Sequence, residues 1–253
     1  MKNSIEWCGY HWTCKMEGGR IIHPDEPYYW NSDSEDVVSI SENGELSMIY
    51  KVNPRDVKYW DGKIYHPVLE RGLLRTDEAF DYGTFSVEAI MPKGLNTGAS
   101  FWLSGNGNWP PEIDICEAWS KDDNYYQFFT TEFPWINPSW QTTTNVHYND
   151  NDLIHRNIKS KNIPKCKQKL DPTENWIKYE CIWEPEKITF KANGKTTRTV
   201  SKKISKMLTE NLKTPSHGHM MDAIIDIYVA DPHDVPNELY TPFRVRNFEY
   251  KPL

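Results

Sequence analysis

Apolar and polar residues alternate with a period of two through Trp176–Trp183. Ile177, Tyr179, Cys181 and Trp183 fall on one side, and Lys178, Glu180 and Ile182 on the other. That pattern predicts a strand with one buried face. Glu184-Pro185-Glu186-Lys187 supplies a turn, Ile188–Ala192 returns, Asn193-Gly194 is a tight-hairpin signal, and Thr196–Val200 continues the meander. Similar runs cover Glu45–Val52, Gly83–Met91, Ala99–Leu103, Glu112–Trp119, Tyr125–Glu132, Thr142–Tyr148, Met221–Val229 and Phe243–Tyr250. Clusters of Gly, Pro, Asn and Asp separate them, so the prediction is an all-β sandwich of two antiparallel sheets. Helical spacing occurs at Ser201–Leu212, through Ile204, Met207, Leu208 and Leu212, and predicts a surface helix over a sheet edge. Asn149–Lys169 is polar, rich in Lys and Asn, and reads as a long loop. No repeat, linker or shift in composition divides the chain, so residues 1–253 read as a single domain.

Composition narrows the function classes. The formal net charge of −7 argues against a nucleic-acid partner, which calls for a basic patch or stripe. No run approaches the ~18 apolar residues of a membrane span. The first residues hold no apolar stretch of signal-peptide length. The expectation is a cytoplasmic protein, or a secreted or periplasmic one whose export signal has been removed. Five cysteines cannot all pair within one chain; Cys116 and Cys181 read as reduced, buried small hydrophobes, and Cys8 and Cys14 are left open to bridging. A monomer is expected.

The chemistry lies in Trp109-Pro-Pro-Glu112-Ile-Asp114-Ile-Cys-Glu117-Ala-Trp119. Glu112 and Asp114 are two apart and share a strand face, with Ile113 and Ile115 turned to the core. Glu117 stands at an odd offset, and a bulge of one residue near Cys116 returns it to the carboxylate face. Three acids in a row above a cleft repel one another, which drives their proton affinities apart, as a general acid and a carboxylate nucleophile at one pH require. Carboxyl groups about 5–5.5 Å apart suit retaining glycoside hydrolysis, and about 6.5–9.5 Å the inverting kind. A bulged strand is compatible with the shorter spacing. Asp114, between the two, would then tune which acid holds the proton.

Glu-Ile-Asp-Ile-Cys-Glu is similar to the bulged E-x-D-x-x-E signature of glycoside hydrolase family 16, which includes laminarinases, agarases, porphyranases and κ-carrageenases. Tyr82-Gly83-Thr-Phe85, Pro92-Lys93-Gly94 and Ser100-Phe101-Trp102-Leu103 resemble its G-x-F, P-x-G and A-F-W-L elements. Asn145-Val-His147-Tyr148 resembles its histidine-bearing strand, the Trp183–Lys195 segment its W-T-P hairpin, and Phe243–Tyr250 its last strand. The matches run in the family's order over roughly residues 80 to 250. The resemblance implies a concanavalin A-like jelly roll with an open substrate cleft, and endo-acting, retaining cleavage of a β-linked polysaccharide. It also implies that Glu112 is the nucleophile, Asp114 its helper and Glu117 the acid/base, with His147 toward the leaving-group side and Trp102 on the cleft floor. Glu88 stands where the family often has arginine, Pro111 where it often has glycine, and Asn193 in place of the usual Asp. These departures leave both β-1,3-glucan and the marine galactans open as substrate.

Other candidates weigh less. Trp102, Trp109, Trp119, Trp135 and Trp140 offer flat platforms for sugar faces, with core packing the competing role; Trp183, alternating with Cys181 and Tyr179, belongs to the core. His147 is either a substrate contact or a structural histidine. His217 and His219 read as loop residues, and Asp222 and Asp226 face either the cleft or water. Arg156, Lys159 and Lys161 are the bases available for a sulfated glycan. G-x-S-x-G, P-loop, H-E-x-x-H and paired C-x-x-C patterns are missing, so no metal or cofactor is expected in catalysis. Relatives sometimes carry structural calcium, for which this sequence shows no ligand loop. The rival to an enzyme is a non-catalytic glycan-binding sandwich, since fold alone does not give function.

Overall fold

The computed structural model describes residues 4–14, 16, 21–23, 27–32, 34–93, 97–105, 109–119, 141–149, 155–157, 172–201, 203, 220–229 and 241–253. Their strands, in chain order, are β1 (Ile5–Trp7), β2 (Tyr10–Thr13), β3 (Tyr29–Ser32), β4 (Val38–Ile40), β5 (Leu46–Met48), β6 (Tyr50–Val52), β7 (Val57–Lys58), β8 (Ile64–Tyr65), β9 (Leu69–Thr76) and β10 (Gly83–Ile90). There follow β11 (Thr97–Gly105), β12 (Glu112–Trp119), β13 (Gln141–Asn149), β14 (His155–Asn157), β15 (Ile177–Glu184), β16 (Lys187–Ala192), β17 (Lys195–Ser201), β18 (Met221–Val229) and β19 (Phe243–Pro252).

They build two large sheets, as the alternation predicts. One runs β1-β2-β9-β18-β11-β12-β13-β14, with β3 and β6 also paired to β9; the other runs β17-β16-β15-β10-β19-β5-β4. β15 buries every second residue, with Ile177, Tyr179, Cys181 and Trp183 fully enclosed. These meet Phe85, Val87 and Ala89 of β10 and, from the first sheet, Phe101, Leu103, Ile113, Ile225 and Ile227 in one continuous core. Fully burying such a side chain is worth about 1.5–3 kcal/mol, so the shared core fixes which face of β11, β12 and β18 is left for the outer groove.

Aromatic richness is largely architectural. Phe248 packs edge-on against Trp12 (5.0 Å between centroids), Tyr10 (5.2 Å) and Phe101 (6.0 Å), and Trp7 and Phe80 complete the cluster. A smaller core of Ile22, Trp30, Val57 and Tyr59 seats the β7–β8 hairpin.

Several sequence expectations need correction. The run Glu45–Val52 breaks at Ile49 into β5 and β6, which join different sheets. Leu69–Thr76, unread as a strand because Leu-Glu-Arg-Gly-Leu-Leu-Arg-Thr does not alternate, is β9, buried on both faces. Asn149 ends β13, and His155–Asn157 pairs with it inside the stretch expected to be loop. Ser201, expected to begin a helix, ends β17. Lys203 is helical, and the rest of that segment lies outside the described residues, as do Tyr125–Glu132, Trp135, Trp140, Lys159, Lys161, Cys166, His217 and His219. Cys116 and Cys181 are buried thiols, and Cys8 and Cys14 are not joined by a disulfide.

Candidate active site

Register places the acids. Along β11, Ser104, Trp102 and Ser100 stand opposite Glu112, Asp114 and Glu117 of β12. The regular step of two on β11 is answered by a step of three between Asp114 and Glu117. On the other side, Asp114 pairs with Asn145 and Glu117 with Thr143, again skipping one residue more on β12. Ile115 and Cys116, both buried, are the two residues that β12 places where each neighbouring strand places one. The predicted kink is present, and it brings the three acids to one face.

Continuing the rows across the sheet assembles the groove. β18 sets Asp222, Ile224, Asp226 and Tyr228 opposite Ser104, Trp102, Ser100 and Gly98, and β13 sets His147 opposite Glu112. Arg71, Ser100, Trp102, Glu112, Asp114, Glu117, Asp226 and Tyr228 line an open groove of about 300 Å³. At its end Gly98 is required by the close approach of Tyr228, because a Cβ there would lie 2.2 Å from the tyrosine ring.

Glu112 is the most elaborately held acid. The Trp109 indole donates to its Oε2 (2.9 Å), and His147 Nε2 stands 3.4 Å from its Oε1 and 3.6 Å from Asp114 Oδ2. Burial pushes the Glu112 carboxyl up to about 7, and the charges of Glu117 and Asp226 push the same way. Hydrogen bonds from Trp109 and with Asp114 oppose the rise. The charge of Glu117 thus opposes ionisation of Glu112, the kind of coupling that an acid and a nucleophile need.

The floor beside the acids is polar and internally matched. Trp102 Nε1 donates to Asp226 Oδ1 (3.3 Å), and Arg71 donates to Asp226 Oδ2 (3.3 Å) and Asn31 Oδ1 (3.1 Å) while lying over the Tyr29 ring. Arg75 holds Asp222 through Nε (2.8 Å), both being buried. The question left open for the two aspartates is thus divided: Asp226 lines the groove, and Asp222 is neutralised beneath it.

Trp102 is half-buried in the groove wall, and Trp109 is 56% exposed beside Glu112. His147 stands at the Glu112 end of the row, under the Trp109 ring (centroids 5.5 Å apart). Trp119 closes β12, but its side chain, like all of Trp140, is outside what the structure describes. Arg156 is exposed on β14. Sequence reasoning missed Arg71 and Tyr228, since an arginine in a stretch that does not alternate and a tyrosine near the end of a strand carry no mark of a groove. Gly98 directly opposite was the available signal for Tyr228. Glu112, Asp114 and His147 also form the cluster, among the described residues, whose donor atoms all lie within 4.8 Å of one another.

A family model, Glycosyl hydrolases family 16, matches residues 29–241. Two curated relatives from Rhizobium meliloti (strain 1021) align with 47% of this chain. Endo-1,3-1,4-beta-glycanase EglC is 29% identical over 128 residues, and Endo-1,3-1,4-beta-glycanase ExsH 39% identical over 126. The chain covers 26% of each, so it spans about a quarter of the length of these relatives. The solved LamAcat from Zobellia galactanivorans superposes with a TM-score of 0.64 at 16% identity, covering 92% of this chain and 88% of that one. That likeness establishes the shared sandwich.

Proposed function

The chain belongs to glycosyl hydrolases family 16, and from that membership we propose that it cuts internal linkages of a β-linked glucan with retention of configuration. The observation that carries the reading is the bulge-restored row Glu112, Asp114, Glu117 in an open groove. Glu112 attacks the anomeric carbon while Glu117 protonates the departing oxygen; Glu117 then takes a proton from the water that releases the glycosyl-enzyme. Trp109 donates directly to the Glu112 carboxylate, a bond that favours the charged form needed for attack and works against the burial that raises this carboxyl. Asp114 hydrogen-bonds Glu112 and steadies it between the two steps. The step runs on carboxylates and needs no cofactor.

The names of EglC and ExsH point to β-1,3-1,4-linked chains. Charge supports a neutral sugar over a sulfated one: the groove's acids face a base, Arg71, that Asp226 and Asn31 already engage. Trp102 supplies an apolar face for a ring.

The test compares the protein with Glu112→Gln and Glu117→Gln on lichenan, laminarin, agarose, porphyran and κ-carrageenan. Lichenan or laminarin should yield new reducing ends of retained anomeric form. Glu117→Gln should lose on the order of 10²–10⁴-fold in rate, and Glu112→Gln should be inactive. Undiminished hydrolysis by either variant would remove the assignment; cleavage of the galactans alone would remove the glucan.

A further inference from the structure

The hydrogen bonds of Asn145 indicate the role of His147 Nε2. The Val146 backbone N–H donates to Asn145 Oδ1 (2.9 Å), so the oxygen of that amide is identified and its NH₂ faces the imidazole. Asn145 Nδ2 then donates to His147 Nε2 at 2.8 Å. Nε2 is accordingly the acceptor nitrogen, its lone pair taken by Asn145, with carboxylate oxygens of Glu112 and Asp114 at 3.4 and 3.6 Å. One imidazole nitrogen and two carboxylate oxygens, each able to ligate a cation, thus lie together.

The separations suit a particular cation. Zn²⁺ binds imidazole nitrogen and carboxylate oxygen at about 2.0–2.2 Å with tetrahedral angles, which puts neighbouring donor atoms about 3.4 Å apart. His147 Nε2 to Glu112 Oε1 is 3.4 Å and to Asp114 Oδ2 is 3.6 Å, and all three atoms lie within 4.8 Å of one another. The donors sit on paired strands, Glu112 opposite His147 and Asp114 opposite Asn145, so the spacing is held by the sheet. An imidazole with two carboxylates selects zinc-like ions over Ca²⁺ or Mg²⁺, which prefer oxygen alone.

We propose that Glu112, Asp114 and His147 form a Zn²⁺ site whose filling switches the groove off. The metal takes the His147 lone pair from Asn145 and the Glu112 Oε1 pair from attack, leaving its fourth position open to the groove. Binding follows from the geometry alone; inhibition rests on the reading of Glu112 as nucleophile.

The experiment titrates the metal-free protein with Zn²⁺ by calorimetry and with Co²⁺ by absorption, alongside His147→Ala, His147→Gln and Cys8→Ser, each checked for native circular dichroism. The expected result is one Zn²⁺ per chain, tetrahedral Co²⁺ bands, at least tenfold weaker binding in both His147 variants, and no change in Cys8→Ser. No saturable binding, or binding indifferent to both His147 variants, overturns the site. Hydrolysis of lichenan should fall as Zn²⁺ fills the site and return with chelator. Full hydrolysis with zinc bound, while Glu112→Gln is inactive, overturns the switch. If Glu112→Gln is itself active, the catalytic reading falls and the metal site stands.

Discussion

Replacing Trp109 with phenylalanine isolates one contribution to the ionisation of Glu112. The substitution keeps a ring beside His147 but removes the indole N–H that donates to Glu112 Oε2 at 2.9 Å. A hydrogen bond to a charged group is worth about 1.5–3 kcal/mol, and the 56% exposure of Trp109 argues for the lower end. About 1.4 kcal/mol corresponds to one pH unit. Glu112 must be charged to attack, so activity falls as pH drops through about 7, where burial and Glu117 have raised its carboxyl. Losing a bond that favours the charged form raises it further. The acidic limb of the kcat/KM profile should therefore move up by about one pH unit, with activity at pH 6 roughly tenfold lower and the alkaline side little changed. The assay is reducing-end release from lichenan across pH, in parent and variant. A limb that stays in place, or moves to lower pH, would refute the role given to this hydrogen bond.

Asp222→Ala should destabilise the fold by about 3–5 kcal/mol, read by urea unfolding, because it strands the buried guanidinium of Arg75 without its carboxylate; a loss under 1 kcal/mol would mean that water replaces the pair. Gly98→Ala should push the Tyr228 ring out of the groove at a cost of about 1–3 kcal/mol. Its kinetic mark is a raised KM with kcat largely kept, and unchanged kinetics would remove Tyr228 from the substrate path.

Much of this molecule is legible in the sequence because the core demands it. β15 reads directly from Ile177, Tyr179, Cys181 and Trp183, since one buried face imposes alternation. The bulge is legible for the same reason: acids cannot occupy the core, so Glu117 at an odd offset has to be returned by an extra residue. β9 is opaque because it is enclosed on both faces, and its arginines find their carboxylates in Asp222 and Asp226, about 150 positions away in sequence. Neither strand announces the other. The role of Asn145 is hidden likewise, as an amide's orientation depends on which backbone N–H it meets.

The extra residue at Ile115–Cys116 has an evolutionary corollary. On the partner strand, Ser104 and Ser100, which face Glu112 and Glu117, are four positions apart, the span a regular ribbon would also show. Losing one codon between Asp114 and Glu117 would thus leave Glu, Asp and Glu at alternate positions, still on one side; losing two would turn the last inward. Descent could pass between two lengths of this segment in a single event without surrendering the acids, while a second loss would end the lineage's chemistry at once.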